Sequence, residues 1–158
     1  MSLFDAPDEN AIYLSRTDND DPLSSYAMYS FELEDLSWPS VEHYFQAMKF
    51  EDVQFREKIR QTKTAKKARS LGRSRFHKVR SDWKKIREVI MTRAVYIKCR
   101  THDVVSQKLI ETGESKLVEN NLYDYFWGCG RDRRGENTYG KVLMNVRDKL
   151  KEEETNTP

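Results

Sequence analysis

The stretch WPSVEHYFQAMKF, residues 38–50, decides how the middle of this chain folds. Pro39 disfavours helix at Trp38 and Ser40 is a suitable N-cap, so the sequence predicts that a helix begins at Val41. Apolar residues recur at helical spacing from that point and predict one helix whose core face continues to residue 59: Val41, Tyr44, Phe45, Met48, Phe55 and Ile59.

Three polar residues share a second face of the same predicted helix, at positions i, i+4 and i+7: Glu42, Gln46 and Lys49. A carboxylate in the first turn of a helix is stabilised in its charged form, which suits Glu42 to act as a base, a nucleophile or a stabiliser of a cation. Support of the helix dipole alone is the alternative for Glu42, and a solvated charge is the alternative for Lys49. The three histidines have no partner at metal-ligand spacing, so no metal site is predicted.

Helical patterns also account for most of the chain outside this stretch. Four further helices are predicted at about residues 64–71, 81–100, 104–112 and 140–150, with Gly72 ending the first of them and Ser81 as N-cap of the second. Two or three short strands are predicted between residues 11 and 31. An aromatic and glycine-rich loop is predicted over residues 121–140, and loops of that length are usually functional.

Length and composition indicate one domain. The chain has 158 residues, of which 37% are hydrophobic and 34% charged. We predict a mainly helical α+β fold: a single compact domain at residues 11–150 with a small β element near the N-terminus, a flexible segment at 1–10 and a flexible acidic tail at 151–158. No signal peptide, membrane span or disulfide framework is recognisable, so a cytoplasmic protein without membrane contact or an obligate protein partner is expected.

Charge is distributed very unevenly along the chain, although the total is only +2. Residues 1–55 contain 12 acids and 2 bases, whereas residues 56–100 contain 17 bases and 3 acids; the net charges of the three parts are −10, +14 and −2. A block this basic indicates a polyanionic partner, either nucleic acid or a phosphorylated small molecule. Neutralisation of this block by the acidic first third is the alternative.

Two segments contain further candidate residues for a binding site. Arg69 and Arg73 lie on either side of Gly72 in the basic block, and arginine forks bind phosphate bidentately. In the predicted loop, Asp124 supplies a carboxylate and Trp127 an indole that can stack on a nucleobase. A core position for Trp127 is the competing interpretation.

Four segments in order resemble motifs of the YbiA-like, or NADAR, proteins. Residues 38–50 are similar to the family signature WPTxEHYFQAxKF, and Leu71-Gly72-Arg73 with Arg80-Ser81-Asp82-Trp83 resembles LGR…RxDW. Residues 112–130 resemble TGxxxLVExxxxDxxWGxG, and residues 135–147 resemble GxNxxGxxLMxxR. The family's LSNF reads Leu23-Ser24-Ser25-Tyr26 here, so Ser25 replaces the usual asparagine.

The resemblance implies a YbiA-like fold and a cofactor-independent N-glycosidase. Bacterial and plant members are associated with phosphoribosylaminopyrimidine intermediates of riboflavin synthesis, and another branch removes ADP-ribose from guanine in nucleic acid. The expected substrate is therefore a phosphorylated N-riboside small molecule, with ADP-ribosylated nucleic acid as the alternative. A non-catalytic module that binds ADP-ribose or nucleic acid is the third hypothesis.

The same resemblance assigns expected roles to individual residues. The expected catalytic residues are Glu42, Asp124 and Lys49. Glu42 stabilises an oxocarbenium-like state or activates water, Asp124 orients ribose or assists proton transfer, and Lys49 neutralises phosphate or forms an imine with the ring-opened sugar. The expected substrate-binding residues are Trp127 as a stacking platform, Gln46 and Asn137 as hydrogen-bonding groups, Arg73 and Arg69 as phosphate ligands, and Gly128 and Trp38.

Overall fold

The structure, a computed structural model, describes residues 7–157, which form six helices and four short strands. The helices are α1 (Val41–Ala47), α2 (Val53–Arg60), α3 (Ala65–Gly72), α4 (Trp83–Thr101), α5 (Asp103–Glu111) and α6 (Thr138–Asn156). The strands are β1 (Ile12–Leu14), β2 (Phe31–Leu33), β3 (Leu36–Trp38) and β4 (Leu117–Glu119). The predicted mainly helical α+β class is therefore confirmed.

The strands form two small sheets. β2 and β3 are an antiparallel hairpin, whereas β1 pairs in parallel with β4, so that Leu14 lies opposite Glu119. Of the strands predicted in residues 11–31, β1 lies inside that range and β2 begins at its end. β4 was not predicted, because its three residues carry no alternating pattern and its partner lies about a hundred residues earlier in the chain.

The single helix predicted over residues 41–59 is wrong, because the structure divides it into α1 and α2. Phe50 leaves the helical path and forms an isolated bridge with Val79. The Asp52 side chain then accepts hydrogen bonds from the backbone N–H groups of Gln54 and Phe55 and caps a new helix. The apolar residues of both helices still face the core, which explains why their spacing resembles that of one helix.

The other predicted helices are present, with differences at two ends. Asp82 rather than Ser81 is the residue before α4, and its side chain makes no capping bond because its carboxylate binds Arg80. α6 continues to residue 156, so the tail predicted at 151–158 is helical over most of its length. There, Lys151 Nζ donates to the Gly113 carbonyl at 2.6 Å and the Tyr96 hydroxyl donates to Glu153, which bind the last turns to the body of the protein.

Residues 1–6 of the predicted flexible N-terminus lie outside the described residues. Within residues 7–157 no helix is long and apolar enough to cross a membrane.

α1 lies at the centre of the molecule and every one of its residues is buried. It packs against α2, α3, α4 and β3, while α6 packs against α4, α5 and β4. An aromatic cluster that includes Tyr44, Phe45 and Trp83 fills the space around α1. Because α1 is buried on all sides, its polar residues Glu42 and Gln46 lie inside the protein rather than on a solvent-exposed face of the helix.

Candidate active site

Glu42 is completely buried, with an exposed fraction of 0%. Its Oε2 accepts from Arg16 NH1 at 3.1 Å and from Ser25 Oγ at 2.8 Å, and its Oε1 accepts from Gln46 Nε2 at 2.7 Å. A buried carboxylate needs such partners, because desolvation disfavours its charge strongly when it is alone. Ser25, which replaces the family's usual asparagine, therefore supplies a polar contact to Glu42.

Arg16 is the principal site residue that sequence reasoning missed. It follows β1, is itself buried, and its guanidinium carbon lies 5.5 Å from the centroid of the Trp127 ring. Its backbone N–H donates to the carboxylate of Glu119, a second missed residue. A signal was available, because Arg16 and Lys49 are the only two bases in the acidic first third of the chain.

Glu119 joins the ends of the two parallel strands. Its carboxylate accepts from the backbone of Arg16 on one side and from the backbone of Asn121, at 3.0 Å, on the other. Burial raises the pKa of Glu119, and the charge of Asp124 raises it further, while Arg16 and the backbone hydrogen bonds lower it. The loop after β1 and the loop after β4 are thus connected beside Glu42.

Lys49 lies within electrostatic range of Glu42, Arg69 and Arg73. Lys49 Nζ donates to the Gly72 carbonyl at the end of α3, at 2.7 Å. Burial lowers the pKa of Lys49, the charge of Glu42 raises it, and the charges of Arg73 and Arg69 lower it. Lys49 and Arg69 are therefore near enough to Glu42 for their charges to interact with it, and Arg73 joins this group through Lys49.

Gln46 has one polar atom without a partner. Since the carboxylate of Glu42 can only accept, the amide nitrogen of Gln46 faces it and Oε1 is turned towards α3. This buried Oε1 has no hydrogen-bond partner among residues 7–157. A Cβ at Gly72 would lie 2.0 Å from it, so glycine is required at that position. An unpaired buried acceptor is costly, and a ligand with an N–H or O–H group would satisfy it.

Asp124 lies in the loop that follows β4 and is half-buried. Its Oδ1 accepts from the backbone N–H groups of Phe126, at 2.9 Å, and Trp127, at 2.8 Å, which fixes the orientation of the turn. The charge of Asp124 acts on both Arg69 and Glu119. All three thirds of the sequence therefore contribute charged groups to one region.

The Trp127 ring is 7% exposed and meets the Phe45 ring edge-on, with centroids 5.4 Å apart. It thus belongs to the core and also borders Arg16. Gly128 is needed for packing within the loop, because a Cβ there would lie 2.6 Å from the Asn121 carbonyl oxygen. That contact explains the glycine without a ligand.

Two expected substrate-binding residues have other positions in the structure. Trp38 is only 1% exposed, its Nε1 donates to the Leu33 carbonyl at 2.9 Å, and its ring packs edge-on against Tyr44; it belongs to the core. Asn137 Oδ1 accepts from the Glu119 backbone at 2.8 Å, and its Nδ2 donates to the Leu117 carbonyl at 2.9 Å. With both ends of its amide occupied, Asn137 positions β4 instead of facing a ligand.

His43, the neighbour of Glu42, has a structural role. Its Nδ1 lies 2.7 Å from Ser40 Oγ and its Nε2 lies 3.0 Å from the Thr62 carbonyl. Burial lowers the pKa of His43, and its contacts with Thr62 and Glu42 raise it less. In the described part of the chain, no group of three His, Cys, Asp or Glu side chains could hold a metal ion.

Comparisons with known proteins identify the relatives of this chain. A family model of the NADAR domain matches residues 4–151. N-glycosidase YbiA of Escherichia coli K12 is 34% identical over 138 residues, which are 87% of this chain and 86% of that protein. An N-glycosidase of Nostoc punctiforme is 37% identical over 131 residues, which are 81% of this chain and 84% of that protein. The NMR structure of Escherichia coli YbiA aligns with a TM-score of 0.85 at 30% identity and covers 100% of this chain and 98% of that one.

Fold and site together define a hydrolase that acts on N-glycosyl compounds. The chain belongs to the NADAR domain family, as its motifs predicted. A riboflavin biosynthesis protein of Vibrio vulnificus is also similar, with 37% identity over 145 residues; these are 91% of this chain and 40% of that longer protein.

Proposed function

We propose that this protein hydrolyses the N-glycosidic bond of phosphoribosylaminopyrimidine intermediates of riboflavin biosynthesis. The observation that carries the proposal is the grouping of a buried carboxylate, Glu42, with Lys49, Arg69 and Arg73. Such a substrate combines a sugar carbon that becomes cationic with a phosphate dianion, and the site offers one charge of the required sign for each. The names of the relatives from Vibrio vulnificus and maize support the same pathway.

In the proposed reaction, water adds to C1′ of the ribose while the C1′–N bond breaks. The products are ribose 5-phosphate and the free aminopyrimidine. Glu42 is held by three donors and has no exposed surface, which suits a fixed negative charge that stabilises the oxocarbenium-like transition state. The half-buried Asp124 is better suited to take the proton of the attacking water and to pass it to the departing amine nitrogen.

The remaining groups would bind the substrate. Arg69 and Arg73 would hold the phosphate, and the unpaired Oε1 of Gln46 would accept from an amino or hydroxyl group. Trp127 would border the base.

Lys49 has two proposed roles. As an ammonium it would neutralise phosphate. As an amine it would attack C1′ of the ring-opened sugar and expel the aminopyrimidine, and water would then hydrolyse the resulting imine. The lowered pKa of Lys49 favours the amine. Borohydride reduction during turnover distinguishes the two roles, because only the imine leaves a stable adduct on Lys49.

The test is release of aminopyrimidine from phosphoribosylaminouracil by the wild type and by Glu42→Gln and Asp124→Asn. Each substitution is expected to lower kcat/KM by about a hundredfold or more, a loss of at least about 2.7 kcal/mol of transition-state stabilisation. Glu51→Gln, an exposed carboxylate on the segment after α1, is the matched control. If Glu42→Gln retained wild-type kcat/KM, the proposed role of Glu42 would be wrong.

One observation favours removal of ADP-ribose from nucleic acid as a second candidate. Phe76 is 97% exposed between Arg75 and His77 in the basic segment, and an exposed aromatic ring among cations is typical of surfaces that bind single-stranded nucleic acid. If this candidate is right, Phe76→Ala lowers activity on an ADP-ribosylated guanine oligonucleotide, and activity falls steeply with salt. Under the first proposal, Phe76→Ala leaves turnover of phosphoribosylaminouracil unchanged. Absence of turnover with both substrates would support a binding module.

A further inference from the structure

The segment that delivers Ser25 to Glu42 is held by three helices at three consecutive carbonyls. The Leu23 carbonyl accepts from the Tyr139 hydroxyl of α6 at 2.6 Å. The Ser24 carbonyl accepts from Lys98 Nζ of α4 at 2.8 Å, and the Ser25 carbonyl accepts from the Glu42 backbone of α1 at 3.0 Å. The conformation of Ser25 therefore depends on the group that holds the preceding carbonyl.

Lys98 is an unusual group to find in that position. Its exposed fraction is 2%, and its Nζ also lies 5.4 Å from the centroid of the Tyr29 ring. Buried ammonium groups normally pair with a carboxylate, because the interior disfavours an unpaired charge. Lys98 instead donates to a backbone carbonyl, and no carboxylate within residues 7–157 forms a salt bridge with it.

The charged and titratable groups around Lys98 do not remove this cost. Burial lowers the pKa of Lys98 to about 8, and its neighbours, the thiol of Cys99 on α4 and the carboxylate of Asp21, raise it only partly. Asp21 is itself paired with Lys108 of α5 at 3.1 Å. A methionine would fill the same space without a charge, so Lys98 costs stability that a simple packing role does not require.

We propose that Lys98 is a positioning residue for catalysis: its ammonium group holds the Ser24 carbonyl so that the Ser25 hydroxyl and carbonyl meet Glu42. The effect passes along two peptide units. Ser25 Oγ donates to Glu42 Oε2 at 2.8 Å, and the Ser25 carbonyl accepts from the Glu42 backbone. Without Lys98, the carboxylate of Glu42 loses part of the hydrogen-bonded arrangement that keeps it oriented.

The test compares Lys98→Met with Lys108→Met, the same substitution at an exposed lysine that contacts the same loop through Asp21. Lys98→Met is expected to lower kcat by about tenfold or more with KM within about twofold, because the substrate does not touch Lys98. Its Tm near neutral pH is expected to stay equal or to rise, because a buried charge has been removed. Lys108→Met is expected to match the wild type in kcat and KM.

A double variant tests the path of the effect. If Lys98 acts through Ser25, then Lys98→Met in a Ser25→Ala background lowers kcat much less than it does in the wild type. Independent, additive losses would contradict the path through Ser25. A Lys98→Met protein that does not fold, or whose Tm falls by more than about 5 °C, would assign Lys98 to the fold alone and overturn the proposal.

The positioning role of Lys98 rests on the proposed function, but different results would refute the two. If the wild type hydrolyses no N-riboside, the proposed function is wrong. The positioning role is then measured by hydrogen exchange of the Glu42 amide, whose acceptor is the Ser25 carbonyl. Faster exchange in Lys98→Met than in Lys108→Met supports the role, and equal exchange overturns it.

Discussion

Arg16 and Glu42 form an ion pair with both side chains almost wholly out of solvent. Pairs of this kind add little net stability over an apolar replacement, but removal of one partner leaves an uncompensated buried charge. The guanidinium carbon of Arg16 also lies 5.9 Å from the centroid of the Phe45 ring and 5.5 Å from that of the Trp127 ring. A substitution of one partner alone therefore measures the cost of leaving the other charge buried and unpaired.

We predict that Arg16→Met lowers the free energy of unfolding by about 3–5 kcal/mol near neutral pH. The reason is that Glu42 keeps Ser25 and Gln46 as donors but loses its counter-charge. Urea denaturation provides the measurement. The control is Arg100→Met, which breaks the partly exposed ion pair of Arg100 with Glu153. It should lower the free energy of unfolding by less than about 1 kcal/mol. Equal losses of unfolding free energy in the two variants would contradict the prediction, because the buried pair would then matter no more for stability than the exposed one.

At the scale of single residues, sequence reasoning found the groups whose type and position lie in one motif. Glu42, Gln46 and Lys49 share one stretch, and their spacing predicts that they lie together. Arg16 and Glu119 could not be found in this way, because the contact between them joins residues 103 positions apart and depends on the pairing of β1 with β4. Trp38 illustrates the opposite error, since a residue within a motif proved to fill the core.

Among the elements, the β2–β3 hairpin has a two-residue turn whose residues both have left-handed backbone conformations. Glu34 has φ 57° and Asp35 has φ 63°. Glu34 is committed to contacts with Tyr44 and Arg93, whereas Asp35 is exposed. Glycine adopts this conformation without the steric cost that a Cβ introduces.

We expect Asp35→Gly to raise the free energy of unfolding by up to about 1 kcal/mol, because it relieves backbone strain and the Asp35 side chain makes no hydrogen bond or ion pair within residues 7–157. Thermal unfolding followed by circular dichroism measures the change. Asn137→Gly is the matched contrast: Asn137 has φ 53°, but its side chain makes the two bonds that hold β4. It should lower stability by about 1–3 kcal/mol. Stabilisation by both substitutions would mean that backbone strain outweighs those bonds.

Element boundaries show where local patterns are insufficient. α3 and α5 follow from their caps and apolar spacing, and both were predicted nearly to the residue. The division between α1 and α2 was missed because the apolar positions on either side of it remain in phase. Asp52, a residue type that favours the N-cap, was the available signal for the second helix. The bridge of Phe50 with Val79, which draws the chain out of the helical path before Asp52, is a distant contact that no local pattern indicates.

Across the whole molecule, folding brings together charged residues from parts of the chain that differ in net charge. The acidic first third supplies Glu42, the basic middle supplies Arg69 and the last third supplies Asp124, and their charges act on one another. Part of the basic block is also neutralised, because Arg93 pairs with Glu34 at 3.3 Å. Neutralisation by the acidic first third is therefore confirmed for Arg93, whereas a polyanionic partner for the rest of the basic block stays a prediction.

The buried Lys98 predicts how stability depends on pH. Its pKa is about 8 in the folded protein and 10.5 in the absence of burial, so between these values the unfolded chain binds more protons and stability rises with pH. We predict that raising the pH from 8 to 9 stabilises the wild type by about 1 kcal/mol relative to Lys98→Met, measured as the free energy of unfolding. Denaturation at both pH values measures it. A constant difference would show that Lys98 does not titrate in this range.

The parallel pairing of β1 with β4 has a consequence for the order of assembly. During synthesis, β1 and the loop with Ser25 are made first, but β4 and the Tyr139 that holds the Leu23 carbonyl are made more than a hundred residues later. Contacts so distant in sequence form slowly, because a long loop must close before they contribute any stability. The nascent chain therefore has its helical centre available well before Glu42 can acquire its complete set of partners, and catalytic competence is gained only in the last stage of folding.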